Sequence, residues 1–271
     1  MEDKIKEKIR QYWEERAREY AASPGATTDD IYLRELEILT IIQTLHGINM
    51  LSGTVLDVGC GDGHSTLAVA KALPNLSFLG VDYSEGMINL AQQKLCDFHQ
   101  LKARVSFVVG DVTDLGQICG DSSYDLILSD RCLINLESAP IQAHAIHEIA
   151  KHTKEGGYYI AIENFIEGHE NMNRARYSVG LREIPVRWHN LYFSEKEFIG
   201  TVQNFFNILE FKDFSSSYYF ATRVIYSKMC QMRGENPDYQ HEIHQLAIHL
   251  PWFGQFSPIR MVVIQRNQIR N

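Results

Sequence analysis

The chain has 271 residues, of which 45% are hydrophobic and 22% charged, and its formal net charge is −8. This length and composition favour one large soluble domain with a sizeable core over two independent domains. The acidic balance offers no obvious attraction for phosphate, which disfavours a nucleic-acid substrate. Five cysteines, an odd number without a C-x-x-C pair, argue against a disulfide scaffold or a zinc site. The sequence has neither an apolar leader nor a membrane-length apolar run, which predicts a cytoplasmic protein.

The first fifty residues predict two helices. Residues 3–22 alternate charged and apolar side chains at helical spacing, and Ser23, Pro24 and Gly25 end that helix. Residues 27–30 can cap a second helix, which presents a wide apolar face. We therefore interpret residues 1–50 as a helical cap on the domain that follows.

A glycine-rich turn joins the first predicted strand to the helix behind it. Residues 55–58 are mostly apolar, and an apolar pattern at helical spacing begins at Leu67. Gly59, Gly61 and Gly63 lie between them. Because glycine permits positive φ and has no Cβ, the backbone of this turn can approach a ligand closely.

Three carboxylates accompany this turn. Asp82 follows the second predicted strand, residues 77–81, about 20 residues after the last glycine, where nucleotide-binding folds place a ribose-binding acid. Asp57 and Asp62 lie at the turn itself, where they would repel a phosphate and suit a cation. A sulfonium with an α-amino group meets that requirement.

Residues 55–63 resemble the first motif of the class I S-adenosylmethionine-dependent methyltransferases, which reads hydrophobic-Leu-Asp-hydrophobic-Gly-Cys-Gly-Asp/Thr-Gly. The resemblance covers residues 51–165, which we interpret as the cofactor-binding core. It implies S-adenosylmethionine as the cofactor, with its methionine end against Asp57 and the turn, including Cys60. Adenine contacts are implied for Tyr83, Met87, Asp111 and Val112. Asp111 has an alternative role, which is to cap a helix near Thr113.

The resemblance also implies that the helical cap lies over the cofactor. Tyr12 and Tyr20 would then close over the sulfonium, and Arg34 would pair with the methionine carboxylate. Plain packing of the two tyrosines and a surface position for the arginine are the alternative.

The fourth and fifth predicted strands end in polar residues at the edge where an acceptor would bind. Ser129, a candidate contact of the cofactor, follows the fourth strand together with Asp130 and Arg131. Asp130 and Arg131 either position a polar acceptor or form an ion pair that shapes the loop. Glu163 and Asn164 end the fifth strand, where a carboxylate could orient an amine or a hydroxyl. This edge lacks the Asn/Asp-Pro-Pro-aromatic sequence of adenine methyltransferases that act on nucleic acid.

Residues 166–193 predict a substrate-covering insertion, because polar and aromatic side chains are dense there. His189 is the candidate general base, since its ordinary pKa lies near neutrality; a structural Trp188–His189 anchor is the alternative. Arginines in this segment favour an anionic group on the acceptor. Tyr177 is a further catalytic candidate, and Arg176, Trp188 and Tyr192 are candidates for contact with the acceptor.

Residues 214–259 predict a second insertion, between a sixth strand over 205–214 and a seventh over 260–265. It forms either a second wall of the acceptor pocket or a dimer contact. The histidine pairs His144/His147 and His241/His244 lack a third ligand at clear spacing, so we predict no metal site.

The predicted fold is one doubly wound α/β domain whose mostly parallel sheet has the strand order 3-2-1-4-5-7-6. The predicted activity is methyl transfer from S-adenosylmethionine to an oxygen or nitrogen of a small molecule, without a nucleic-acid or membrane partner. A homodimer is one option for the assembly. One alternative is an enzyme that breaks another sulfonium bond and releases methylthioadenosine. The other is a catalytically silent cofactor-binding subunit, which the intact set of glycines and aspartates disfavours.

Overall fold

The structure is a computed structural model that describes residues 2–20 and 25–268. Its first half contains α1 (Glu2–Glu19), α2 (Ile31–Gly47), β1 (Ser52–Val58), α3 (His64–Ala72), β2 (Asn75–Asp82), α4 (Glu85–Cys96), β3 (Val105–Val109), α5 (Gly116–Cys119) and β4 (Tyr124–Asp130). Its second half contains α6 (Ala139–His152), β5 (Thr153–Asn164), α7 (Ile166–Ser178), α8 (Glu195–Val202), β6 (Phe206–Lys212), α9 (Ser216–Tyr219), α10 (Ser227–Arg233), α11 (Glu242–Ala247) and β7 (Ile259–Arg266).

The seven strands form one sheet in the order β3-β2-β1-β4-β5-β7-β6, which confirms the predicted order. The strands β1 to β5 run parallel, and β7 runs antiparallel to both β5 and β6. The carboxyl ends of β1, β2, β4 and β5 therefore meet at one edge. In doubly wound sheets this edge carries the ligand crevice.

The core has two layers because successive side chains of a strand point to opposite faces of the sheet. Val55 of β1 packs in the cluster that includes the apolar faces of α2 and α3. Leu56 packs in the other cluster, with Ile146 and Ile149 of α6. Both layers consist of buried side chains, which support the sheet from its two faces.

The first predicted helix ends at Glu19, short of the predicted end. The predicted break at Ser23 and Pro24 lies outside the described residues. In the second insertion, residues 220–226 form a π-helix between α9 and α10, of which the sequence gave no sign. None of the helices in the described ranges is long and apolar enough to cross a membrane.

The second insertion is tied to the start of α2 through Asp30. The Asp30 carboxylate accepts the Leu33 N–H at 3.1 Å and caps the helix. It also accepts the Tyr218 hydroxyl at 2.5 Å and pairs with Arg223 of the π-helix. Because Asp30 is buried, these contacts fix the π-helix against the helical cap.

Candidate active site

A cavity of about 400 Å³ opens at the carboxyl edge of the sheet. The glycine turn after β1 walls one end, and α7 with the π-helix region walls the other. The helix α1 lies along the cavity from Asp111 to His189. Twelve of the predicted site residues line it, namely Gly59, Gly61, Asp82, Tyr83, Met87, Asp111, Val112, Asp130, Arg131, Asn164, His189 and Tyr192. Ten lie outside its lining as described, namely Tyr12, Tyr20, Arg34, Asp57, Cys60, Ser129, Glu163, Arg176, Tyr177 and Trp188.

The glycine turn brings backbone to the cavity at positions that no larger residue could occupy. Gly59 and Gly61 have φ of +72° and +52°. A Cβ on Gly59 would lie 2.5 Å from Cβ and Sγ of Cys132. The Gly59 N–H is bound to the Val81 carbonyl at 2.7 Å, which holds the turn against the end of β2.

Asp82 organises the turn from the end of β2. Its two carboxylate oxygens accept the Gly61 N–H at 3.0 Å and the Ser84 N–H at 2.9 Å. Burial raises the pKa of Asp82 to about 6, and the two backbone hydrogen bonds oppose that rise. Asp82 thus lies at the cavity wall and fixes the loops on both sides of it.

Asp57 lies beneath the turn instead of at the cavity wall. Its carboxylate accepts the Thr66 hydroxyl of α3, and burial raises its pKa to about 7. Asp57 and Ser129 line a separate small cavity below the sheet edge. Cys60 is buried, and burial raises the pKa of its thiol.

Asp111 already has protein partners. It accepts the Thr113 N–H at 2.8 Å and the Thr113 hydroxyl at 2.7 Å, so the capping alternative is observed. Lys6 of α1 lies 2.7 Å from its other oxygen. Although burial alone would raise the pKa of Asp111, the Lys6 ammonium and the Thr113 hydrogen bonds lower it.

The helix α1 covers the cavity, but with other side chains than predicted. Lys6, Ile9 and Trp13 line the cavity. Tyr12 instead stacks on His189, with ring centroids 4.5 Å apart, and Tyr20 lies under the Arg16 guanidinium. The adjacent residues Tyr12 and Trp13 gave only a weak indication, because the sequence does not show which of the two rings faces the cavity.

Arg34 is buried between α2 and the glycine turn. It donates to the Thr27 hydroxyl at 3.3 Å and lies 4.0 Å from Asp62, which also pairs with Lys94. Burial lowers the pKa of Arg34, and Asp62 opposes this. The surface position that was the alternative for Arg34 is therefore wrong.

Asp130 and Arg131 form the ion pair that was one of their two predicted roles. Nε of Arg131 lies 3.5 Å from Asp130, and its Nη2 lies 3.0 Å from the buried Glu37 of α2. Arg131 has φ of +53°, uncommon for a residue with a side chain. Burial raises the pKa of Glu37, and Arg131 opposes this. Glu37 was not among the predicted site residues. The indication in the sequence was its position between Leu36 and Ile38, on an otherwise apolar helix face.

Glu163 is bound to the loop after β4 and does not face the cavity. One of its oxygens accepts the Ser129 hydroxyl at 2.8 Å and the Leu133 N–H at 3.1 Å, and the other accepts the Ile134 N–H at 3.3 Å. It is fully buried, and burial raises its pKa to about 7. In this position Glu163 supports the loop and cannot orient an acceptor directly.

Replacing Glu163 by Gln is expected to flatten the pH dependence of stability. Because its folded pKa lies above its usual value, its stabilising contribution is fully present below the unfolded pKa of about 4.3 and is lost as the pH rises to about 7. Between about pH 5 and 6.5, the unfolding free energy of Glu163→Gln should fall less steeply than that of the unmodified chain, by about 1.4 kcal/mol per pH unit, and the two slopes should converge above pH 7. Urea unfolding measures this, with the exposed Glu235→Gln as control; equal slopes would contradict it.

His189, Asn164 and Tyr192 line the far end of the cavity, where sequence reasoning also missed His169, Tyr219, Arg223 and Tyr239. Burial lowers the pKa of His189 to about 4, so its ring is neutral near pH 7. His189 also contacts Trp188 edge-on, so the predicted aromatic anchor is present as well. The missed residues lie on α7 and in the second insertion. No motif in either segment had indicated a role for these particular side chains.

Three predicted acceptor contacts lie elsewhere. Arg176 donates to the backbone carbonyls of Arg182 and Arg223 and so supports the π-helix. The side chain of Tyr177 is 84% exposed and that of Trp188 is 54% exposed. Within residues 2–20 and 25–268, no group of three His, Cys, Asp or Glu side chains could hold a metal ion.

A family model described as "Methyltransferase domain" matches residues 52–192. The demethylmenaquinone methyltransferase of Lactiplantibacillus plantarum is 35% identical over 123 residues, which are 45% of this chain and 49% of that protein. The ubiquinone biosynthesis O-methyltransferase of Hydrogenovibrio crunogenus is 32% identical over 105 residues, 39% of this chain and 40% of that protein. The chain thus spans half or less of the length of these curated relatives.

A solved structure resembles the chain over nearly its whole length. The magnesium protoporphyrin IX methyltransferase from Synechocystis PCC 6803, with bound SAH, superposes with a TM-score of 0.62 over 96% of this chain and 98% of that one. The two sequences are 16% identical. At that identity the likeness concerns the fold alone.

Proposed function

This chain belongs to the class I S-adenosylmethionine-dependent methyltransferases, and we propose that it methylates an oxygen or nitrogen atom of a small-molecule acceptor. The observation that carries the proposal is the continuous cavity that joins the glycine turn to His189 and Asn164. Its volume of about 400 Å³ and its cover by α1, α7 and the second insertion suit a small acceptor better than a protein or nucleic-acid chain.

The cofactor end of the cavity fits S-adenosylmethionine. Gly59 and Gly61 line it with backbone alone, Met87 offers a buried apolar wall, and Asp82 offers carboxylate oxygens. When bound, the cofactor supplies an activated methyl group on its sulfonium. Asp82 would bind the ribose, and Met87, Tyr83 and Val112 the adenine. Asp111 would also accept from the adenine amino group. Because Lys6 already pairs with this carboxylate, the ammonium would either share it with the adenine or be displaced from it.

The acceptor end has to hold a heteroatom in line with the methyl group and exclude water. Trp13 and Ile9 of α1 cover the cavity from above. Neutral His189 lies beside them with its Nδ1 unpaired among the described residues, so it can take the proton that the acceptor loses. A pKa of about 4 makes it a weak base, which suffices where the sulfonium already provides most of the driving force.

The first experiment incubates the purified chain with S-adenosylmethionine alone and then with fractions of small metabolites. Mass spectrometry follows the nucleoside product. We expect S-adenosylhomocysteine in the presence of one fraction and not without it. Methylthioadenosine formed without an acceptor would indicate the alternative bond cleavage, and methylation only of intact proteins or RNA would contradict the proposal.

Replacing His189 by Phe is expected to lower kcat by about 10²-fold or more, because the ring keeps its stacking on Tyr12 and loses its proton acceptor. Cofactor affinity should stay within about twofold, since His189 lies at the acceptor end. The kcat of the unmodified enzyme should not titrate with His189 between pH 6 and 8, because the low pKa keeps the ring neutral there. Steady-state kinetics with the identified acceptor test this, and an unchanged kcat would reject the role.

We also propose that the enzyme is cytoplasmic and that its acceptor is not a nucleic acid. The net charge of −8 supports this, because the chain would be repelled by a polyanion. A homodimer and the domain limits of 1–50, 51–165, 166–193 and 214–259 stay predictions; sedimentation of the purified chain tests the first.

A further inference from the structure

Two buried polar atoms at the acceptor end have no hydrogen-bond partner among the described residues. They are Nδ1 of His169, on α7, and Oδ1 of Asn164, at the end of β5. Both side chains are only 6% exposed, and both line the cavity. Because buried polar groups in folded proteins are nearly always paired, these two atoms point to a ligand that supplies their partners.

Asn173 determines where the His169 ring carries its proton. The Asn173 amide is oriented by Ile184, whose N–H donates to Oδ1 at 2.9 Å and whose carbonyl accepts from Nδ2 at 3.0 Å. The same Nδ2 lies 3.2 Å from Nε2 of His169, so Nε2 acts as the acceptor. Burial lowers the pKa of His169, against a smaller opposing effect of the Ile184 carbonyl, and the ring is therefore neutral. A neutral ring with an unprotonated Nε2 carries its proton on Nδ1.

The cavity therefore presents a donor from His169 and an acceptor from Asn164. We propose that this pair binds a hydroxyl group of the acceptor molecule, whose oxygen accepts from Nδ1 and whose proton is donated to Oδ1. An ether lacks the proton, and an ammonium lacks the lone pair. Tyr192 contacts the His169 ring edge-on, with centroids 5.3 Å apart, and limits its rotation.

His169 is a positioning residue under this assignment, because a protonated Nδ1 cannot remove the proton of the hydroxyl. The inference rests on the proposed function in one respect, which is that the bound molecule is taken to be the methyl acceptor. The recognition of a hydroxyl does not itself require methyl transfer, and it can be measured separately.

Matched probes test the inference: phenol against anisole, and cyclohexanol against methoxycyclohexane. Their affinities for the chain are measured by ligand-observed NMR, with and without S-adenosylhomocysteine. We expect each alcohol to bind at least about tenfold more tightly than its ether, since the ether leaves Oδ1 of Asn164 unpaired. His169→Phe and Asn164→Leu should each remove this preference, while the exposed His99→Phe should retain it. The absence of a preference in the unmodified chain, or its persistence in both variants, would overturn the proposal.

A second measurement needs no variant. The ¹⁵N shifts of His169 should report a proton on Nδ1, and a proton on Nε2 would overturn the donor assignment. Failure of the proposed function is a separate outcome. It would appear as missing S-adenosylhomocysteine binding or missing product, with the alcohol preference of the cofactor-free chain still measurable.

Discussion

Replacing Asp82 by Ala is expected to weaken the binding of S-adenosylhomocysteine about 100-fold or more. The substitution removes the carboxylate proposed for the ribose and the two hydrogen bonds that hold Gly61 and Ser84. Hydrogen bonds to a charged group contribute about 1.5–3 kcal/mol each, so the loss of two loosens the loops on both sides of the cavity. Isothermal titration calorimetry at pH 7.5 measures the affinity, above the pKa of about 6 at which Asp82 ionises.

Asp82→Asn separates charge from shape, because it keeps one oxygen for a backbone N–H. We expect it to bind with an affinity between those of the unmodified chain and Asp82→Ala. The exposed Asp121→Ala is the control for net charge and should bind normally. Unchanged affinity in Asp82→Ala, with a normal fold by circular dichroism, would remove Asp82 from the cofactor site.

Replacing Arg131 by Met is expected to destabilise the chain by about 3 kcal/mol, which corresponds to a fall in Tm of roughly 10 °C. The reason is that Glu37 is fully buried, with Oε1 already unpaired among the described residues, and would then lose its cation. Thermal and urea unfolding of the cofactor-free chain measure the effect. A stability equal to that of the unmodified chain would show that Glu37 is protonated and does not need Arg131.

The double variant Glu37→Leu with Arg131→Met is expected to regain most of the lost stability. An apolar pair of similar volume removes the uncompensated charge, and such replacements are often neutral or stabilising. The control is Lys154→Met, which breaks the half-exposed pair with Asp125 and should cost less than about 1 kcal/mol. If the double variant is less stable than Arg131→Met alone, Glu37 stabilises the fold by contacts other than the ion pair.

The Glu37–Arg131 pair also bears on the acceptor site. It holds a residue with positive φ at the point where β4 enters the cavity wall. In the same loop, the N–H groups of Leu133 and Ile134 are bound by Glu163. Two buried glutamates from distant parts of the chain thus shape one loop, and neither faces the cavity in this structure.

Much of this molecule followed from its sequence. The strand order rests on the fold class that the motifs indicate, because it joins segments far apart in the chain. The individual strands and the glycine turn rest on patterns within about ten residues, where periodicity and missing side chains act locally. For the same reason Gly59, Asp82 and Asp111 were expected at the sheet edge, and that is where they lie. The matching family model covers this same stretch of the chain.

Only the tertiary structure decided which polar side chains remain available to a ligand. Glu163 and Asn164 are neighbours at one strand end, yet one is bound by a loop and the other faces the cavity. Trp13 replaced Tyr12 at the cavity wall, and the His169 tautomer depends on Asn173 and Ile184. The physical reason is that hydrogen-bond partners and cavity walls come from residues far apart in sequence. A local pattern therefore predicts where a strand or helix ends, but not whether a side chain at that end faces the cavity or binds to a loop.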